Sequence, residues 1–350
     1  MRVAMKRMVY LPGLVGLLVL FLGIGGLSPM MAQAKAEFHL KLMGINRSVF
    51  QYKLWQDWAK AVEERTNGRV AFEFTSLPEL GFGGAETVRL VKTGIVDIAE
   101  MYLGYVAGEL PIAEMLEIPG ILPDDETMVK AYEAWKPHLA EIIDKQAGGI
   151  LLGTAFATDQ FLFSRKPIEK LEDFRGYKAR VHSVSLAQLV GGLGGEPLTI
   201  AFAEVYTAME RGTVDGGFTA SFAGDAQKWY EVTQYLVGPI TQLAELPLVI
   251  SKKTWKRLPA DIQKVLHEEA ERIIDAQALK LRQYWHQNGI DGCVAGGMKV
   301  MALSPELQAE VKKVLQNEVV PAWVKRSGGK RAADFFNKIV APHAGFTVTP

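Results

Sequence analysis

The sequence predicts an α/β protein built as two lobes. Helical and strand periodicities alternate along the chain, which implies a parallel or mixed sheet with covered faces. A helix–glycine–strand unit occurs twice, at an offset of 118 residues. And 350 residues exceed what one compact core usually accommodates.

The first 34 residues stand apart from this pattern. Arg2, Lys6 and Arg7 precede a largely apolar run from Met8 to Leu27, and no acidic residue occurs before Glu37. The segment ends in Ala32-Gln33-Ala34, with small residues where a signal peptidase reads. These features describe a secretory signal peptide over residues 1–34 and a periplasmic mature chain. An apolar run of about 20 residues is also long enough for an anchor helix. Pro12 and the five glycines Gly13, Gly16, Gly23, Gly25 and Gly26 weaken that alternative. The only cysteine is Cys293, which excludes lipid attachment after the apolar run and any intramolecular disulfide. A lone thiol in an oxidising compartment is best buried.

The elements follow in order. Phe38 to Leu42 alternates as a strand, and Tyr52 to Asn67 carries Leu54, Trp55, Trp58, Ala59 and Val62 at helical spacing up to a Gly68 stop. Val70 to Thr75 completes a β-α-β unit. A second helix, Glu86 to Thr93, stops at Gly94 and leads to a strand at Val96 to Met101. The repeated unit compares Ala85–Asp97 with Ala203–Asp215, where Ala, Glu, Gly, Val and Asp recur at 5 of 13 positions. A chance match of a common unit is the alternative to duplication; the shared Ala-Glu start and Gly-x-Val-Asp finish favour duplication. Ala260 to about Gln287 reads as one long helix of about 40 Å, enough to cross both lobes. A further helix begins at Ser304-Pro305, with serine as N-cap and proline at N1.

Composition excludes several classes. The chain carries 39 basic and 39 acidic residues, so its zero net charge gives no footprint for nucleic acid. Without residues 1–34 the balance is 36 against 39, because three basic residues leave, and the mature chain is weakly acidic. No nucleophile elbow, phosphate loop or helix-borne histidine pair occurs, so neither an enzyme nor a cofactor is indicated. Gly191 to Gly195 lacks dinucleotide-binding spacing and reads as a turn. The six histidines are scattered, and no metal site is predicted. Asn46-Arg47-Ser48 matches a glycosylation sequon by coincidence. An exported two-lobed α/β chain without catalytic motifs suggests a receptor whose cleft closes on a small molecule.

Four stretches make the suggestion specific. They are Lys166 to Ser183, Ala201 to Gly216, Trp229 to Leu236 and Ser251 to Leu266. Together they resemble the solute-binding subunits of the tripartite ATP-independent periplasmic (TRAP) transporters, of the dicarboxylate-binding type. The resemblance implies a periplasmic-binding-protein (Venus flytrap) fold with hinge strands, here with lobe 1 over 35–157 plus 247–289 and lobe 2 over 158–246 plus 290–350. It implies an organic acid as ligand and the membrane permease subunits of such a transporter as partner.

The resemblance also implies site residues. Arg180 stands where the family pairs an arginine with the ligand carboxylate, a role suited to a planar guanidinium. Phe202 matches an aromatic packed over the acid; a core position is its alternative. Ser183, Thr219 and Asn46 fall at or near polar contacts. Two departures narrow the ligand: Gln160 replaces a second arginine of many relatives, and Thr219 replaces an asparagine. With Phe161, Phe163, Phe218 and Phe222 nearby, the expectation is a monocarboxylate with an apolar body. A receptor for a signalling sensor and an exported enzyme acting on organic acids are the competing readings.

Overall fold

The computed structural model describes residues 36–241 and 243–350; the signal peptide assigned to residues 1–34 lies outside the described residues. Among the described residues no helix is long and apolar enough to cross a membrane.

Eleven strands form two sheets. They are β1 (Phe38–Gly44), β2 (Val70–Ser76), β3 (Ile98–Glu100), β4 (Gly149–Ala157), β5 (Gln160–Ser164), β6 (Lys178–Val181), β7 (Glu196–Thr199), β8 (Gly216–Ala220), β9 (Tyr235–Thr241), β10 (Ala244–Ser251) and β11 (Lys299–Met301). The first sheet has the order β2-β1-β3-β10-β4, and the second β7-β6-β8-β5-β9-β11. Strands β1, β2 and β3 are parallel, as are β6, β7 and β8. In each sheet the next strand is antiparallel, and it has crossed over from the other half: β10 follows β9 in the chain, and β5 follows β4. The chain passes between sheets at 158–159 and again between β9 and β10, and residues 244–246 already pair with β4.

The two sheets share more than order. The repeated units become helix α2 (Thr87–Thr93) before β3 and a later short helix (Val205–Glu210) before β8. Gly94 and Gly212 end these units at φ of 75° and 74°, a conformation that glycine adopts without strain. Each closing aspartate then makes the same pair of bonds. Asp97 N–H donates to Lys41 O (3.0 Å) while its carboxylate accepts from Lys41 N–H (2.9 Å). Asp215 N–H donates to Lys178 O (2.7 Å) while its carboxylate accepts from Lys178 N–H (2.9 Å). The echo in sequence is therefore a repeated fastening of two parallel strands at their amino ends.

Helices cover the sheets. Helix α1 (Phe50–Arg65) buries Trp55 and Trp58, and Trp58 Nε1–H reaches Leu266 O at 3.4 Å. On the other face Trp135 and Leu139 of helix α3 (Asp125–Ile142) join the core with Val88 and Val91. Covered faces explain why β4, β8 and β10 read as nearly continuous small or apolar runs rather than alternations.

The long helix expected from Ala260 is broken in two. After helix α4 (Val184–Gly192) and helix α5 (Val205–Glu210), helix α6 spans Ser221–Ala226, helix α7 spans Ala260–Ile273 and helix α8 spans Ala278–Ala295. A single 3₁₀ turn, Asp275–Gln277, separates α7 from α8. The cause is Asp275, whose carboxylate accepts Thr154 N–H (2.7 Å) and pairs with Lys136 (2.6 Å), so it is used on β4 and on α3. Helix α8 runs past the expected end because Gly289 lets it touch α6: a Cβ there would lie 2.2 Å from Phe222 N. At the first crossing between sheets, buried Arg282 of α8 donates to Ala157 O (2.8 Å) and pairs with the carboxylates of Asp125 and Asp159. The helix expected after Ser304 forms as α9 (Pro305–Val314), with Ser304 Oγ accepting Leu307 N–H at 3.1 Å. Cys293 is buried, its thiol on Ser221 O and pushed up to about 12 by desolvation, so it is inert.

Candidate functional site

Strand ends from both sheets meet around one cavity. The first sheet contributes Glu100 at the end of β3, Tyr102 and Tyr105 just beyond it, and Ala244 and Leu246 of β10. From the second sheet come Gln160 at the start of β5, Arg180 of β6 with His182 after it, and Thr219 and Ala220 of β8. Phe202 opens a 3₁₀ turn that brings its ring in, and Phe222 and Ala223 enter from α6. In α/β sheets the crevice beyond the carboxyl ends of parallel strands is the ordinary place for a ligand.

Arg180 dominates the electrostatics. It is 1% exposed, and the flanking backbone holds it rigidly: Nε–H donates to Ile200 O (2.9 Å) and Nη1–H to Phe218 O (2.7 Å). The smallness of Gly217 beside it in β8 permits this seating, since a Cβ there would lie 3.3 Å from Arg180 Cβ. Nη2 is buried without a hydrogen-bond partner, and among the described residues no carboxylate pairs with this guanidinium. Burial pulls its pKa down, against the pull of Tyr105 and Tyr102 toward the charged form. A buried cation lacking a counter-charge is costly, and an anion in the cavity removes that cost.

Beside it, three side chains close a ring of hydrogen bonds. Gln160 Nε2–H donates to Tyr102 Oη (3.0 Å), Tyr102 O–H faces His182 Nδ1 (3.2 Å), and His182 Nε2–H faces Gln160 Oε1. A neutral imidazole protonated on Nε2 completes all three bonds, and burial together with Arg180 holds His182 well below its ordinary pKa. This ring joins the two sheets, since Tyr102 follows β3 and Gln160 and His182 belong to the second sheet. Gln227 Nε2–H on Ser48 Oγ (2.7 Å) and the edge-on contact of Phe50 with Phe222 (4.7 Å) join them again at the mouth. Ile45, Val49, Leu246, Phe202 and Phe222 give the wall its apolar part, and Gln51, Glu100 and Thr219 add further polar groups.

Of the six residues singled out from sequence, Arg180, Gln160, Phe202 and Thr219 line this cavity. Phe202 packs its ring on Trp229 (5.8 Å) while facing the cavity, so it serves the core as well. Ser183 is not part of the lining; its hydroxyl caps α4 by accepting Leu186 N–H at 3.2 Å. Asn46 is also outside, turned onto Ser48 N–H (3.0 Å), while its neighbour Ile45 lines the wall. Sequence reasoning missed Glu100, Tyr102, Tyr105 and His182. His182 stands two residues after Arg180, in the stretch already singled out. The others lie where the repeated unit ends in a strand, a position equivalent to that of Thr219 and Ala220. Among the described residues no group of three or more His, Cys, Asp or Glu side chains is placed to hold a metal.

Comparison with known proteins gives one family. The family described as bacterial extracellular solute-binding protein, family 7, matches residues 45–325. A protein of Salmonella typhimurium, YiiZ, is 27% identical over 220 residues, 61% of this chain and 66% of its own length. The chain thus matches about two thirds of that relative. Among solved structures, the Bordetella pertussis extracytoplasmic solute receptor DctP7, which binds pyroglutamic acid, matches with a TM-score of 0.80 at 21% identity, over 88% of this chain and 99% of its own. A TRAP periplasmic solute-binding protein of Sulfurospirillum deleyianum with bound succinate matches with a TM-score of 0.77 at 24% identity, over 87% of this chain and 98% of its own. These likenesses establish the two-lobed fold.

Proposed function

Because the chain belongs to family 7 of the bacterial extracellular solute-binding proteins, we propose that it is the TRAP-type receptor for an organic acid, which it captures between its lobes and delivers to a membrane permease. The observation that carries this reading is Arg180: a fully buried guanidinium lining the cavity, held by two carbonyls, whose Nη2 has no hydrogen-bond partner and with which, among the described residues, no carboxylate pairs. Two of its three nitrogens are already committed, so the carboxylate meets a cation fixed in place, and little side-chain entropy is lost on binding.

Closure does the rest. The ligand touches walls from both sheets, so it favours the closed arrangement by its differential affinity for it. Excluding water around Arg180 strengthens the attraction to the carboxylate. Uptake by such a receptor needs only binding and release at the permease, driven by an ion gradient across the membrane. The family's binding role favours this over an enzyme. A receptor for a signalling sensor would use the same cavity and differ only in its partner.

The ligand class follows from the wall. A single lining cation, set opposite the Glu100 carboxyl and accompanied by the Gln160–Tyr102–His182 ring, Gln51, Tyr105, Thr219 and several apolar side chains, fits a monocarboxylate better than a dicarboxylate such as the succinate held by the Sulfurospirillum protein. Periplasmic residence rests on the family and on the signal peptide assigned to residues 1–34. Arg180→Ala tests the central claim. By calorimetry it should lose about 2–5 kcal/mol of affinity for any acid the wild type binds. An acid bound equally well by both proteins would remove Arg180 from the site.

A further inference from the structure

A second buried charge lies in the same cavity, on the first-sheet wall. Glu100 is 1% exposed, and its Oε2 accepts Ile45 N–H at 2.9 Å. Its other oxygen, Oε1, is buried and has no hydrogen-bond partner. Nor has the Oε1 of Gln51, which lines the cavity from the first turn of α1. The indole of Trp55 adjoins Glu100, yet its N–H is likewise unpartnered. Buried acceptors without donors are rare in folded proteins because each forfeits its hydration. Here two of them face one cavity whose remaining unpartnered lining group is the Arg180 donor. Such a set of open partners outlines the polar groups of the molecule that fills it.

We propose that the ligand carries, in addition to the carboxylate held by Arg180, an N–H or O–H donor that binds Glu100 Oε1, with the Gln51 amide beside it. The substrate class is therefore a small acid with an amine, lactam or hydroxyl group, its apolar body lying against Phe202 and Phe222. This rests on the carboxylate reading above and narrows it. Burial, opposed by the Ile45 N–H, raises the Glu100 pKa to about 7. A ligand donor bonded to this carboxylate favours its ionised form.

Paired acids of one size test the inference. Cyclopentanecarboxylate lacks a donor; proline, pyroglutamate and 3-hydroxycyclopentanecarboxylate add an ammonium, a lactam N–H and a hydroxyl. Titration calorimetry on the wild-type protein should show at least one donor-bearing acid binding about tenfold or more tightly than cyclopentanecarboxylate. In Glu100→Leu, checked for folding by its thermal melt, that preference should fall to about onefold while Arg180 remains necessary. Should the variant fail to fold, the wild-type ratios decide alone. Ratios near one for all three pairs, with binding still dependent on Arg180, would overturn the donor inference and leave the carboxylate reading standing. Absence of binding by every acid, with Arg180→Ala indistinguishable from wild type, would remove both.

Discussion

The two sheets are fastened alike and charged differently. At their amino ends an aspartate clamps two parallel strands by the same pair of bonds, Asp97 on Lys41 and Asp215 on Lys178. At their carboxyl ends, where the walls face each other, the first sheet ends in an acid and two phenols, Glu100, Tyr102 and Tyr105. The second ends in a guanidinium, an imidazole and a threonine, Arg180, His182 and Thr219. Duplicated scaffolds therefore place a site without specifying it. The strand order decides where side chains converge, and single residues at the strand ends decide what they attract.

The fastenings offer the largest effect on stability. Asp97→Ala leaves the half-buried Lys41 N–H unpaired, which costs about 1–3 kcal/mol, whereas Asp215→Ala leaves the exposed Lys178 N–H to water at a smaller cost. Asp97 also accepts from Thr254 Oγ1 (2.5 Å) and pairs with Arg257 (3.2 Å), partners that Asp215 lacks among the described residues. Denaturant midpoints should therefore fall further for Asp97→Ala. Equal losses would mean that the clamp alone matters in both halves.

The charged ends should separate the halves by pH. Three carboxyls on the first-sheet side, Glu100, Glu117 and Glu245, are buried, and desolvation raises all three pKa values well above the ordinary 4.5, Glu100 to about 7. For these the native state binds more protons than the unfolded state. Their stabilising share is complete below pH 4.5 and is lost as the pH rises through the native values. His182 has the opposite sign: its native pKa lies below the ordinary 6.5, so its share is present above that pH and lost as the pH falls toward the native value. Melting temperature should thus decline on both sides of weakly acidic pH. Glu245→Gln should flatten the alkaline limb and His182→Gln the acid limb. An unchanged alkaline limb in Glu245→Gln would show that this carboxyl titrates as an ordinary one.

The smallest effect distinguishes a cap from a contact. Ser183→Ala should cost about 1 kcal/mol of stability, the usual value of an N-cap, with Ser183→Gly recovering most of it. Ligand affinity should stay within about twofold in both, since the hydroxyl serves Leu186 N–H and does not line the cavity. A tenfold loss of affinity would return Ser183 to the binding residues.

Much of this was legible along the chain because it is local. Helix stops at Gly94 and Gly212, the cap at Ser304 and the repeated Val-Asp entry into a strand are decided within a few residues. Arg180, Phe202 and Thr219 were legible through the motif around them. The break at Asp275 was not, because its cause is Thr154 N–H on a strand 121 residues away. Nor were Glu100 and Tyr102, since an acid after an apolar strand looks like any exposed strand end until Ile45 and Gln160 close over it.

By itself the sequence determined the class of fold, the repeated helix–glycine–strand unit, the family and the arginine that lines the cavity, because periodicity, turn chemistry and a dense motif are written in consecutive residues. The tertiary structure alone decided which side chains share a cavity, which of them lack partners and which hydroxyl caps a helix. Those properties depend on burial and on contacts between residues distant along the chain, and desolvation, which turns an ordinary arginine or glutamate into an unpaired buried charge, exists only once the sheets have closed.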